Sequence, residues 1–213
     1  MKKLRFLFVV VFFIGILSNI HAQKAIKNGF SINAVIGLAS ESFGLDNIES
    51  MNSEVQVKML YGIQLGNRWY FNPTEQYGIG LMVNWIDFAI GAKSTTINNS
   101  EFGIAAIDFT FLEVGPVGTY AISEDMAIDG YYNLRPTVFG YAIVDEDEDS
   151  YVAAGAGFSH TLGAAFRYNK LNVGIEYVLG GINVSQEESD GINIPNNEKM
   201  SVNNFRIVFG FKF

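Results

Sequence analysis

Ser201–Phe213 reads SVNNFRIVFGFKF, with apolar residues on every second position: Phe205, Ile207, Phe209, Phe211 and Phe213. Successive side chains of a strand point to opposite faces, so these five share one face. The other face receives Arg206, Val208, Gly210 and Lys212. One side is therefore large and apolar, the other small or charged. The same alternation recurs along the chain, broken by polar segments rich in Asn, Ser and Gly, and no convincing stretch of helical periodicity competes with it.

Working outward from this stretch, the pattern predicts eight strands, at roughly 29–40, 54–67, 77–91, 102–122, 126–143, 151–168, 171–184 and 201–213. The connectors at 41–53, 92–101, 144–150 and 185–200 are mostly longer and polar, while 123–125 and 169–170 are tight and 68–76 is intermediate. Long external loops alternating with short turns suit a barrel that crosses a membrane. At the tightest turn, a two-residue loop at Asn169-Lys170 pairs Tyr168 with Leu171. Phe166:Val173, Ala164:Ile175 and Leu162:Tyr177 then lie on the apolar face, and Arg167:Asn172 and Gly163:Glu176 on the other. Both strands keep their apolar faces together, as a correct register requires. For the preceding hairpin the expected register sets Ile122 opposite Ile128 and Tyr120 opposite Gly130, the tyrosine covering the glycine. Pro116 and Pro136 predict a weak seam there. Opposed parities of Phe111 and Leu112 predict a bulge.

Composition narrows the function. Residues 1–22 read as a secretory signal: Lys2, Lys3 and Arg5 precede an apolar run from Phe6 to Leu17, and Ile20-His21-Ala22 offers a cleavage site. The run is short for a spanning helix, which needs about 20 apolar residues. Residues 23–213 form one domain. The leader holds three of the 14 basic residues and none of the 22 acidic ones, so the remainder is more acidic than the whole chain's net −8. Nucleic acid is thereby excluded as a partner. No cysteine is present and only His160 lies beyond the leader, which leaves no thiolate chemistry and no multi-histidine metal site.

Alternation alone does not separate a membrane barrel from a soluble sandwich or lipocalin-like barrel. The non-apolar face decides, because it is rich in Gly and Ala, at Gly62, Gly66, Gly78, Gly80, Gly163 and Gly174 among others. A solvated face has no need to be so small, whereas the inside of a narrow barrel does. Trp69, Tyr70, Tyr77, Tyr120, Tyr168 and Phe213 gather near the short turns, the height of an interfacial aromatic girdle. These features predict an all-β fold, a closed eight-stranded antiparallel up-and-down transmembrane β-barrel. The sequence resembles the small eight-stranded outer-membrane β-barrels of Gram-negative bacteria, the OmpA/OmpX type, over residues 23–213. The resemblance implies the outer membrane, with its lipid and lipopolysaccharide, as surroundings. It also implies that the terminal aromatic strand, with Phe209, Phe211 and Phe213, is the assembly signal read by the barrel-assembly machinery.

Eight strands enclose an interior that side chains just fill. The inward parity carries Lys58, Asp108, Glu113, Asp129, Arg135, Arg167, Glu176, Arg206 and Lys212, read as a plug of paired charges, with Arg135–Glu113 the favoured pair. Asp87 has no assigned face, because the alternation slips after Trp85. The external loops hold most of the acids, including the run Asp145–Asp149, which lacks the spacing of a calcium loop. Ser159 and His160 are neighbours on a strand and face opposite sides, so they form no dyad. No catalytic, cofactor or metal residues are assigned, and no enzyme is expected. The leading function is a structural or interaction role through the acidic external loops, by a monomer whose extracellular ligand the sequence does not name. A narrow small-solute channel or an export-system component comes second, and a lipid A-modifying enzyme last. Deleting Phe213 is expected to lower outer-membrane insertion far more than Phe205→Ala, measured by the folded fraction in membrane extracts; equal losses would undo the assembly reading.

Overall fold

The computed structural model describes residues 25–43, 57–97, 100–145, 150–186 and 199–213. The predicted signal peptide, most of the acidic run and most of the 41–53 and 185–200 connectors lie outside the described residues. The strands are β1 (Gly29–Phe43), β2 (Val57–Phe71), β3 (Tyr77–Ile97), β4 (Ser100–Ala121), β5 (Met126–Asp145), β6 (Ser150–Tyr168), β7 (Leu171–Gln186), β8 (Lys199–Ser201) and β9 (Asn204–Lys212). Each is antiparallel to its neighbours, and β9 pairs with both β1 and β7, which closes the ring. Short β8 pairs only with β7 and continues the line of β9, so the ring has eight staves. Phe30 and Phe213 exchange backbone hydrogen bonds of 3.1 and 2.7 Å at the seam between the first and last strands.

The large apolar side chains stand on the outside. Ile79 is 69% exposed, Phe158 63% and Leu162 61%, and in the last strand Phe205, Ile207, Phe209 and Phe213 are exposed. Arg206, Val208 and Lys212 point inward and are buried. A surface so apolar over a polar interior is inverted relative to a soluble fold and is stable in lipid. The hairpin of β6 and β7 has the register expected from its two-residue turn, from Tyr168:Leu171 through His160:Leu179. Asn169 takes the left-handed φ of 53° that such a turn requires.

The structure departs from four of the expected strand limits, positions and registers. The 92–101 connector is mostly ladder, since β3 and β4 pair from Ala92:Ala105 up to Ile97:Ser100. The 68–76 connector begins late, because β2 runs on to Phe71 with Arg68 and Tyr70 facing inward. Tyr70 therefore leaves the girdle and buries its hydroxyl, 2.8 Å from the Thr119 hydroxyl. The register of β4 and β5 is two residues from the expected one: Tyr120 faces Ile128, and Gly118 faces Gly130. The cause is the turn, where the Ile122 and Ser123 amides both donate to the Met126 carbonyl, so that Ile122 comes opposite Met126 rather than Ile128.

Two bulges sit opposite each other. The β2–β3 ladder skips Trp85, and the β4–β5 ladder shifts between Thr110 and Val114, where Leu112 has φ 64°. Phe111 and Leu112 are both exposed, as the opposed parities required. Pro136 lies opposite this interruption and Pro116 in the next gap, between Val114:Leu134 and Val117:Tyr131, where each lacks an amide for the ladder. A tyrosine does cover a glycine here, but inside the barrel: a Cβ on Gly163 would lie 2.2 Å from the Tyr131 ring, whereas one on Gly130 meets nothing within 4 Å. Gly163→Ala is expected to cost about 1–3 kcal/mol by overpacking, while Gly130→Ala stays within about 1 kcal/mol of the parent. Urea titrations of the barrel refolded in vesicles measure both.

Candidate functional site: the charged plug

The interior holds two carboxylate-centred clusters. Asp87 is the hub of the first, and the Trp85 bulge puts it there, because one extra residue turns the parity of β3 so that Asn84 and Asp87 both face inward. Arg206 grips Asp87 with two nitrogens, Nη1 to Oδ2 and Nη2 to Oδ1, each at 2.6 Å. Arg135 Nη2 donates to Asp87 Oδ2 at 3.1 Å and to Asp108 Oδ2 at 3.4 Å. Gln64 Nε2 donates to Asp87 Oδ2 at 3.2 Å and to Glu176 Oε2 at 3.1 Å, and the Tyr131 hydroxyl reaches Glu176 Oε1 at 2.9 Å. Glu113 accepts from Asn84 and Asn133, both at 3.0 Å.

The second cluster lies nearer the short turns. Arg68 Nη1 and Arg167 Nε donate to Asp129 Oδ2 at 2.8 and 2.7 Å, while Arg167 Nη2 and the Thr119 hydroxyl donate to Oδ1 at 2.9 and 2.6 Å. Below it, residues 25–28 fold across the mouth. Ile26 packs with Tyr70, Met82, Val117 and Tyr131. Arg167 Nη1 donates to the Ala25 carbonyl at 2.7 Å, Lys212 Nζ to the Lys27 carbonyl, and the Tyr70 amide to Asn28 Oδ1 at 2.7 Å. At the opposite end the lumen is apolar, filled by Val57, Leu60, Phe139, Tyr141, Ile143 and Ile182.

Eight of the nine charges assigned to the plug, Asp108, Glu113, Asp129, Arg135, Arg167, Glu176, Arg206 and Lys212, lie buried in these clusters. Lys58 does not. It is exposed, because the β1–β2 pairing slips between Leu38:Met59 and Phe43:Val57, leaving Lys58 and Met59 both outside. Arg135 and Glu113 come to 3.8 Å, but Asp87 is the nearer partner of Arg135. Arg68 and Asp87 are the two plug charges that the sequence reading left out. Trp69 and Phe71 continue the outward parity of Ile63 and Leu65, a signal that would have extended the strand over Arg68.

Ser159 and His160 face opposite sides. The Ser159 hydroxyl is 2.7 Å from Thr137 inside, while His160 Nδ1 is 2.6 Å from the Tyr132 hydroxyl on the outer face, the two rings stacked at 5.8 Å. Among the described residues no group of His, Asp and Glu has the arrangement of a metal site.

The plug charges depend on one another. Asp87→Asn is expected to lower stability by about 1–3 kcal/mol, because it weakens the two short hydrogen bonds of Arg206, which keeps Glu176 at 3.6 Å, and removes one of the three carboxylates around Arg135. The double variant Asp87→Leu/Arg206→Met should recover part of that loss. Chemical denaturation in neutral vesicles measures the difference.

No family model and no curated protein matches the chain. Among solved structures it is similar to Ail, the attachment invasion locus protein of Yersinia pestis, in complex with the heparin analogue sucrose octasulfate. That similarity has 14% identity over 87% of this chain and 97% of Ail, at a TM-score of 0.49. It is also similar to the outer membrane protease OmpT of Escherichia coli, at 9% identity over 87% of this chain and 94% of OmpT, with a TM-score of 0.44. On the strand pairing and the inverted surface described above, the chain has the fold of an outer-membrane β-barrel.

Proposed function

We propose that the protein is a monomeric integral barrel of the outer membrane, surrounded by lipid and lipopolysaccharide, that works as a surface interaction protein and carries no enzymatic or conducting function. The observation that carries this reading is the uneven height of the wall. A bilayer is crossed by about 9–11 strand residues, yet β3 and β4 have 21 and 22 and β5 and β6 have 20 and 19. Most outward positions beyond the large apolar band turn small, at Ala92, Ser94, Gly103, Ala105, Gly140 and Ala142, with Val144 and Val152 the exceptions. These four strands form a rigid platform that stands clear of lipid on one side of the barrel. Acidic residues crowd the connectors at that end, so charge complementarity favours a partner with a cationic surface.

The filled lumen supports the second half of the reading. An apolar layer, a belt of paired charges and the Ile26 stopper follow one another along the axis. Among the described residues this succession supports a closed lumen. Placing Ser159 and His160 on opposite faces likewise supports a non-enzymatic role. The purified barrel in planar bilayers should give no reproducible conductance steps, and overexpression should leave the lipid A mass spectrum unchanged. Stable steps would favour the narrow channel or export component, and an altered lipid A mass the enzyme.

A further inference from the structure

The turn end of the lumen holds more positive charge than it pairs. Arg68, Arg167 and Lys212 are all buried there, and Asp129 is the carboxylate that Arg68 and Arg167 share. Among the described residues Lys212 makes no salt bridge. Its ammonium stands over the Tyr70 ring, 5.3 Å from the centroid, and donates to the Lys27 carbonyl. Arg167 spends Nη1 on the Ala25 carbonyl, and Arg68 Nε, in a side chain 1% exposed, has no partner. Two of the three cations are thus capped by neutral carbonyls of residues 25–28, which belong to no strand.

We propose that Arg68, Arg167 and Lys212 form a latent site for a singly charged oxyanion, a carboxylate or a phosphodiester, with Ala25–Asn28 as its displaceable cover. An oxyanion makes charge-assisted hydrogen bonds roughly twice as strong as those to a carbonyl, so it competes well for the same donors. The cover is held by three polar contacts and two apolar side chains, Ile26 and the smaller Ala25. Outside Ile26 lies a recess of about 440 Å³ lined by Glu75 and Glu124. Those carboxylates repel a dianion more than a monoanion and set the preference for single charge. This inference is independent of what the projecting strands bind.

The test uses the leader-cleaved protein in neutral detergent, digested with trypsin while acetate or inorganic phosphate is titrated at constant ionic strength against chloride. An anion that displaces the cover frees the Lys27–Asn28 bond. Cleavage there should rise roughly tenfold at ten times the dissociation constant, and acetate should act at lower concentration than phosphate at alkaline pH. Ile26→Ser should lower the acetate concentration required, while Lys212→Gln and Arg167→Gln should abolish the response. In vesicles, acceleration by phosphatidylglycerol over neutral lipid assigns the site to a headgroup, and acceleration by free acetate in detergent assigns it to a soluble anion. Equal cleavage in chloride and in both anions with no effect of phosphatidylglycerol, or an undiminished response in Lys212→Gln, would overturn the proposal.

Discussion

The Asp87–Arg206 pair ties the wall of the barrel together across its lumen. Its partners come from β3 and β9, 119 positions apart in the chain, and they meet through two 2.6 Å hydrogen bonds with no measurable exposure to solvent on the Asp87 side. Buried inside the closed ring, neither charge can turn to water, so the geometry that joins them is an obligation of the fold. Arg135, Gln64 and Glu176 are arranged around this pair, and Glu113 is reached from it through Arg135. The Trp85 bulge, which costs ladder bonds on the lipid side, is the local distortion that makes the pair possible.

Charge is distributed unevenly along the axis, and the neutral groups follow the imbalance. Around Asp87 the carboxylates outnumber the guanidiniums, and the surplus is met by donors: Gln64, Asn84, Asn133 and Tyr131. Around Asp129 the cations are in excess, and there acceptors appear, the carbonyls of Ala25 and Lys27. Each layer is thereby partly offset by dipoles of the right sense, at less desolvation cost than further buried ions.

Strand alternation carried most of this fold in the sequence because one face meets lipid and the other a crowded lumen, which punishes a slip of one residue at every position. The β6–β7 register was legible from a two-residue turn that leaves no freedom. The β4–β5 register was not, since a shift of two residues preserves parity and only the turn's own hydrogen bonds choose between the alternatives. Lys58 and Asp87 were misread or left unread for one reason. Both lie beside bulges, where counting by twos fails and the reversal of face depends on pairing with a neighbouring strand. The Phe111–Leu112 bulge was readable because its own strand contains the conflict. The cover formed by residues 25–28 had no periodic signature at all.

The clasp between Phe30 and Phe213 has a consequence for timing. The strand that completes the ring is the last one in chain order, and it joins the first across almost the whole sequence. Contacts of such separation are slow to form unaided. Until they form there is no lumen, and Asp87, Glu113 and Asp129 lie along the face of an open sheet rather than within an enclosure. A chain stopped short of β9 is therefore not a weaker barrel. It is an open sheet whose inward charges lie uncovered along one face.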